Sequence, residues 1–490
     1  VKYHEEWECE YLLKVKQDPE MRAFVRDYED KYKKAETPLR PRDALRGGRT
    51  NTIKFCVDPV PPGHKLHYLD FTSLYPAVNA SVNGEKWPIG HPDIYVGKDL
   101  EKAPKNWFGL ANVEILPPRG LLHPVLGQPF HDGKILFHLC TACAAAGQEG
   151  HCNHDDSEKK IKGTFFTGEL DLAMEMGYQL LEVHELWHWP SDRTSTTLFR
   201  NMICDQFKKK VIASTKPSDT SDLLADLLCL GINIEEDEWS ENKAMRALAK
   251  FSLNNIWGFL GARGNHEKTE IVTSISQLQR LEGDPNQEII RSEISDDERH
   301  LFVVTKPLRE EAGLKQNIVL AALTTAYAKI ALYKVIREYP DEVVYFDTDS
   351  VFLLLPEHKK PPVTSNRLGG LKDEILEEFG PGAEITSFSS IGPKCYTYTV
   401  ARDGKELKTE IKLKGIRMTS QVSDLIDGSK FQDITQGTAV TVPQHIIKKN
   451  LFASSLKNVM MEKVIRFLCT KRYFKPGNNP MLDTLPFGYK

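Results

Sequence analysis

The 490-residue sequence has no apolar run reaching the roughly 18 residues that a membrane-spanning helix requires, so none is expected. It also lacks a surplus of positive charge. Its 64 Lys and Arg against 68 Asp and Glu leave a formal charge of −4, which excludes a global basic field. Nucleic-acid binding would have to use local Lys/Arg clusters. Cysteine is scarce and odd in number. Nine residues, with three crowded into 140–152, argue against a disulfide framework and for a reducing compartment with one metal site. There is no internal repeat, no low-complexity block and no signal peptide. An initiator Met is missing as well, since the first residue is Val1, and upstream domains are expected outside this chain. What remains is the composition of a soluble globular protein, 40% hydrophobic and 27% charged. Its length suits about two to four subdomains.

Residues 1–36 are highly charged with interspersed apolar positions, and are expected to form one or two surface helices. TPLRPRDALRGGRTN (37–51) breaks that pattern and brings Arg40, Arg42, Arg46 and Arg49 close together, as a basic patch or as a solvated linker. KLHYLDFTSLYPAVNA reads as a strand ending at Asp70, a turn and the start of a helix. Strand-like runs at 108–122 and 161–190 surround the cysteines, and helical patterns dominate 195–260 and 313–338. Between the helical stretches, GDPNQEIIRSEISDDERH is polar and loop-like. Strands return at 343–355 and 394–417, where RDG signals a hairpin. The tail, 440–490, shows a basic helical pattern followed by loops.

In VVYFDTDSVF (343–352) two aspartates interrupt apolar, β-branched sequence. Asp347 and Asp349 stand at i and i+2, so on an extended chain their carboxylates share a face. Two anions that close repel, which raises the pKa of one unless a cation sits between them. A bound Mg²⁺ removes the conflict, but a two-metal site usually needs a further carboxylate. Asp70, at the end of an apolar strand, is the natural candidate. Two other readings stay open here. The string could be a polar turn, or the nucleophile (Asp347) and general acid (Asp349) of a haloacid-dehalogenase-type phosphatase. That phosphatase would carry the motif early and an acidic pair on a later strand, whereas no Asp-Asp pair follows residue 349.

NKAMRALAKFSLNNIWGF (242–259) is helical in pattern. Lys243, Arg246, Lys250, Asn254 and Trp257 recur every three or four residues along one face, with Ala244, Leu248 and Phe251 on a separate packing face. Cations in a row with an amide and an aromatic beyond them suit a nucleoside triphosphate; the plainer alternative is a solvated outer stripe. CTACAAAGQEGHCNH offers Cys140, Cys143, Cys152 and His154, a ligand set for one structural Zn²⁺, with His138 and His151 as alternative fourth ligands.

Taken in this order, the elements resemble a family B DNA polymerase, and more closely the protein-primed branch of viruses, linear plasmids and Polinton/Maverick transposons. DFTSLYP (70–76) is similar to the family's Asp-x-x-Ser-Leu-Tyr-Pro, and KFSLNNIWG (250–258) to its fingers motif Lys-x-x-x-Asn-Ser-x-Tyr-Gly. YFDTDS (345–350) is similar to Tyr-x-Asp-Thr-Asp-Ser, and KCY (394–396) to the primer-strand motif Lys-x-Tyr. Asn255 stands where the family usually has Ser and Trp257 where it usually has Tyr. LRGGRT keeps Gly47 and Gly48 of the family's glycine motif but not its Tyr.

The resemblance implies an α+β right-hand polymerase with an antiparallel-sheet palm, helical fingers, a small thumb and a zinc knuckle inserted in the palm. It divides the chain into N-terminal helices and linker (1–60), first palm segment (61–84) and an insertion like a terminal-protein region, with the knuckle (85–194). Fingers (195–263), a second insertion linked to strand displacement (264–312), the remaining palm (313–435) and thumb with tail (436–490) follow. Exonuclease motifs would lie upstream of Val1. The implied activity is DNA-directed DNA polymerisation with two Mg²⁺ or Mn²⁺ ions held by Asp70, Asp349 and the Phe71 carbonyl, Asp347 being auxiliary. Amides of Ser73 and Leu74, with Arg246 and Lys250, would cradle the β- and γ-phosphates. Tyr75 would pack beneath the sugar and reject a 2′-hydroxyl, and Asn254 and Trp257 would line the nascent pair. Lys394 and Tyr396, with Gly47, Gly48 and Arg49, would hold primer and DNA. The partners implied are template and primer DNA, dNTPs and a terminal priming protein, with no membrane. The compartment implied is intracellular, and nuclear if the element is a eukaryotic transposon. A zinc-stabilised DNA-binding or replication-accessory remnant of a polymerase is the non-enzymatic alternative.

Overall fold

Apolar strands rich in Val, Tyr and Phe build a central sheet in the computed structural model. The structure describes residues 38–490 apart from 131–132, 217–219, 264–266, 295–300, 309–315 and 451–454, together with Lys14 and residues 17–24. Most of the charged 1–36 stretch, and with it the expected surface helices, lies outside the described residues.

The sheet's main strands are β1 (Thr50–Thr52), β2 (His64–Phe71), β3 (Val343–Asp347), β4 (Ser350–Pro356), β5 (Glu384–Gly392), β6 (Cys395–Arg402) and β7 (Lys405–Leu413). They lie in the order β1-β3-β4-β2-β5-β6-β7, every pairing antiparallel. The short strands Cys56–Val57 and Leu371–Asp373 pair with β5 and β2. Strands β3 and β4 are covered on both faces, which is why the sequence around the aspartates is continuously apolar rather than alternating. One face carries an aromatic cluster that includes Tyr68, Tyr345, Phe352, Phe388, Tyr396 and Tyr398.

Four helices matter for the site: α1 (Leu74–Asn79), α2 (Arg200–Ile212), α3 (Lys243–Leu260) and α4 (Ile318–Glu338). Helix α4 covers the other face of the sheet, setting Leu332 and Ile336 against Leu69, Phe346 and Val351. Its 21 residues are long and apolar enough to cross a membrane by length and composition alone, yet 61% of its apolar window is buried inside the protein. Helices α2 and α3 join through Ile203, Phe207, Val211 and Leu253 to form a helical lobe beside α1, as the 195–260 pattern predicts. The packing face of α3 differs from the expected one. Ala249 and Leu253 are buried, whereas Leu248 is 59% and Phe251 65% exposed. The lobe packs on only one side of the helix, so a single apolar stripe suffices and the other stays in solvent.

The 85–194 insertion forms its own antiparallel sheet in the order Asp93–Val96, Gln179–His188, Gly109–Leu116, Ile161–Phe166, with a core that also takes in Tyr333 of α4. In 264–312, strands Lys268–Val272, Leu301–Pro307 and Gln287–Ile294 form a three-stranded sheet beside helix Ile275–Glu282. The stretch expected as loop therefore supplies a strand. A bulge between Ile289 and Arg291 breaks its alternation and hides the period-two signal. The helix expected after 440 is also replaced. Val440–Asn450 (β8) and Ser455–Ile465 (β9) are an antiparallel pair in which Val440 faces Ile465, and Lys, Met and Glu there occupy strand positions. Their helical propensity is overridden by cross-strand pairing. The chain then returns to the central sheet, where Thr484 Oγ1 donates to the Ile53 carbonyl (2.9 Å).

Candidate active site

The two acidic segments meet across β2 and β4. Strand β2 runs one residue past the expected end, to Phe71, and its register sets Asp70 opposite Ser350, next to Asp349. The Phe71 amide donates to the Asp349 carbonyl (2.8 Å) and ties the two turns together. The extended-chain argument for Asp347 and Asp349 does not hold. Thr348 between them has φ +62°, a left-handed conformation that strains a β-branched residue, so the aspartates flank a tight turn. The Thr348 amide is held by the Arg49 carbonyl (2.8 Å), and a Cβ on Gly48 would come within 2.7 Å of the Thr348 side chain. Glycine is required at Gly48 by that approach. Ser73 (φ +53°) and Lys394 (φ +63°) share the strained conformation, which places three such residues around one site.

The three aspartates differ in their surroundings. Asp347 Oδ1 accepts from Thr50 Oγ1 (2.6 Å), Lys394 Nζ (2.6 Å) and Thr348 Oγ1 (3.0 Å). Among the described residues, neither Asp70 nor Asp349 receives a hydrogen bond from another side chain. Burial first, then the Asp349 and Glu374 carboxylates, push Asp70 up to about 7. Burial and Asp347 push Asp349 up to about 6. Two carboxylates and the adjoining Phe71 carbonyl are hard oxygen donors whose mutual repulsion a divalent cation would relieve, so the residues fit Mg²⁺ or Mn²⁺.

Above this floor lies a cleft of about 530 Å³, lined by Asp70, Phe71, Ser73, Arg246, Lys250, Asn254 and Asp349 from the expected set. Lys243, at the start of the α3 row, does not line it. Leu74 is buried behind it, at the start of α1, where first-turn amides have no intrahelical acceptor. The Tyr75 ring stacks on Trp257 (centroids 5.1 Å apart), and neither of these two expected residues lines the cleft itself. Asn255 turns away, its amide donating to the Phe251 carbonyl (2.7 Å).

Two cations in this cleft escaped the sequence reading. Lys210, from α2, donates to Ser73 Oγ (2.9 Å), and Lys372 pairs with Glu374 and Glu377. Burial, then Arg246, Lys250 and Lys372, pull the Lys210 amine down to about 8. Lys210 sits in a run of three lysines, so its sequence marks it only as charged. Glu374 is a further carboxylate that raises both Asp70 and Asp349, and it also carries no local signal.

On the other side of the acidic turn, a cavity of about 430 Å³ is lined by Asp347, Asp349, Lys394, Tyr396 and Lys412. Lys394 reaches it, while Tyr396 is 4% exposed, its hydroxyl paired with Tyr68. Gly47 is exposed nearby. Arg49 is not available to DNA. It is 2% exposed, with its guanidinium over the Phe137 ring (4.1 Å) and beside Phe346 (5.1 Å). Its role is to pack under the acidic turn and present its carbonyl to Thr348. Arg46 is buried likewise, bonded to the Thr164 carbonyl, and Arg42 donates to the Gly261 carbonyl, so the arginine loop is neither a solvated linker nor a basic patch.

The four knuckle residues converge. His154 Nδ1 lies 3.5, 3.2 and 3.6 Å from Sγ of Cys140, Cys143 and Cys152. A tetrahedral Zn²⁺ with ordinary bond lengths implies N···S edges of about 3.6 Å, which these match. His138 instead bonds Gln128 Oε1 (2.9 Å), and His151 is outside the cluster.

A family model described as DNA polymerase type B, organellar and viral, matches residues 36–341. No curated protein matches the sequence. Among solved structures, the chain is similar to phi29 DNA polymerase in an orthorhombic crystal form (TM-score 0.54, 16% identity, 87% of this chain and 62% of that one). It is also similar to phi29 DNA polymerase complexed with primer-template DNA and incoming nucleotide substrates (TM-score 0.55, 15% identity, 93% of this chain and 70% of that one). These likenesses show a shared fold. The chain spans less than two thirds of the length of the first of these structures, 62%.

Proposed function

Because the chain belongs to the type B DNA polymerases of organelles and viruses, we propose that it copies a DNA template by adding deoxynucleotides to a primer 3′-hydroxyl. The observation that carries this reading is the cleft that sets two unpaired carboxylates below four cations. When bound at Asp70, Asp349 and the Phe71 carbonyl, two divalent cations would activate the hydroxyl and offset charge on the α-phosphate and pyrophosphate.

The chain's own residues supply binding and orientation. Lys210, Arg246 and Lys250 repel one another until a triphosphate neutralises them, Lys372 is already paired with Glu374 and Glu377, and the Ser73 and Leu74 amides add donors. Asn254 lines the cleft, and the Tyr75–Trp257 stack behind it would back the sugar and base. Lys394, anchored on Asp347, holds the primer terminus. The phi29 enzyme binds primer-template DNA and incoming nucleotides, and we assign the same partners to this chain. We extend the reading to initiation on the hydroxyl of a terminal protein docked on 85–194, to replication of a transposon, plasmid or viral genome, and to a structural Zn²⁺ in the knuckle. The compartment is then intracellular, and nuclear for a eukaryotic transposon. A phosphatase is disfavoured by Asp347, whose three donors blunt it as a nucleophile. Primer extension with Mg²⁺ tests the proposal, and DNA binding without turnover would favour the accessory remnant.

Lys210→Ala should raise the KM for dNTPs roughly tenfold or more, the scale of one charge-assisted contact, with primer-template affinity unchanged. Steady-state kinetics and a DNA-binding titration check both halves. The raised carboxyls predict a pH effect. Their folded pKa values stand above the unfolded ones, so their contribution to stability is full below about pH 4 and is lost as pH rises through 6 to 7. Mg²⁺ should therefore raise the Tm more at about pH 8 than at about pH 5. Equal shifts in thermal melts at both pH values would count against this pair as the cation ligands.

A further inference from the structure

We propose that the Cys/His knuckle clamps the chain's C-terminal segment to the 85–194 insertion, and that the two together wall a basic groove gripping duplex nucleic acid beyond the primer terminus. This rests on the reading of the knuckle as a zinc site. The clamp is visible in the packing. The Cys152 amide donates to the Lys490 carbonyl (2.8 Å) and the Leu139 amide to the Phe487 carbonyl (2.8 Å). A Cβ on Gly488 would come within 2.4 Å of Cys140 Cβ, so the segment lies directly against a ligand. Tyr473, Leu485 and Phe487 share one apolar cluster with the three cysteines. These are small, local contacts, and a metal that fixes four ligands in place is what gives them a rigid base.

The same segment runs from the knuckle to the groove. Arg472, 2% exposed, donates to the carbonyls of Leu122 (3.1 Å) and Thr484 (3.0 Å). Lys471 Nζ reaches the carbonyl of Thr50 (3.1 Å), the β1 residue that pairs with Asp347. The groove has a volume of about 730 Å³. The insertion contributes Lys134, the C-terminal segment Lys471, the central sheet Lys394 and Lys414, and the β9 end Lys463 and Arg466. Among the described residues no acidic one lines it, although the chain as a whole carries −4. Cations on facing walls suit the phosphates of two strands, and two of the six stand on the parts that the knuckle joins.

The test measures zinc content by atomic absorption, primer-template affinity across a salt titration, limited proteolysis of 473–490, and the KM for dNTPs. Cys143→Ser should lose zinc, open the segment to protease and weaken duplex binding about tenfold, with a log K–log salt slope shallower by about one to two. The KM for dNTPs should stay within about twofold, because the nucleotide cleft lies on the far side of the acidic turn. Phe487→Ala removes packing against the cysteines but no ligand atom, and should keep zinc while reproducing the DNA defect. Chelation of the wild-type protein should reproduce it as well, and added Zn²⁺ should reverse it, which separates the effect from misfolding. Loss of zinc with unchanged DNA affinity and slope would overturn the clamp and leave the zinc reading standing. Purified protein without zinc would overturn both, and Phe487→Ala binding DNA normally would overturn the coupling alone.

Discussion

Asp349→Ala should reduce template-directed extension with Mg²⁺ at least about a thousandfold, while leaving the protein folded. The carboxylate is mostly buried, held up at about 6 by burial and Asp347, and among the described residues takes no hydrogen bond from another side chain. Removing it deletes a proposed cation ligand and also relieves repulsion, so the metal-free variant should melt no lower than wild type. Asp347→Ala should behave differently. It strips Thr50, Thr348 and Lys394 of their shared acceptor, so activity and Tm should fall together. Gel-based extension alongside thermal melts distinguishes the two aspartates. Extension by Asp349→Ala at the wild-type rate would remove Asp349 from the cation site, whereas no extension by the wild-type protein, with phosphate release from small esters, would sink the polymerase reading and restore the phosphatase.

Tyr75→Val should raise incorporation of ribonucleotides relative to deoxynucleotides by about a hundredfold. Exclusion by bulk requires a ring that cannot move aside. Tyr75 lies in the first turn of α1, and its ring stacks on Trp257 of α3 at 30° with centroids 5.1 Å apart, so two helices hold it. Trp257→Ala leaves the phenol in place but frees it, and should relax discrimination less than Tyr75→Val does. Competition between labelled ribo- and deoxynucleotides on one template measures the ratio. An unchanged ratio in Tyr75→Val would move the gate to another residue.

The parts of this site that were legible in the sequence are those whose chemistry is local. Asp70 ends an apolar strand, Asp349 follows a β-branched run, and Arg246, Lys250 and Asn254 keep helical spacing, so each carries its own signal. Lys210 and Glu374 carry none, because only the packing of α2 on α1 and of 371–374 on β2 brings them to the aspartates. Arg49 misled for the converse reason. An arginine after two glycines resembles a phosphate contact until Phe137, on the insertion, is seen to cover it. At the level of the fold, the strands of the central sheet and the long helices were readable from apolar runs and period. The β8–β9 hairpin was not, because residues that favour helices fill a strand pair whose register, not propensity, decides the outcome. The exposed Phe251 face of α3 shows the same limit, since periodicity gives two apolar stripes and only tertiary packing chooses one.

The pairing of Thr50 with Asp347 has a consequence for how the protein is made. The two residues are 297 positions apart, and Thr484 closes on Thr52 and Ile53 from still farther along the chain, 432 and 431 positions. At ribosomal rates of about 5–20 residues per second, β1 waits many seconds for its neighbour to emerge, an unpaired edge with apolar Ile53 beside it. Nascent chains stalled before residue 343 would hold the sheet of the insertion and the helical lobe, but no acidic turn and no cover over the knuckle. Such intermediates are good clients for holdase chaperones and poor survivors at high expression, and slowing translation or lowering temperature should raise the soluble yield more than it would for a protein of local contacts.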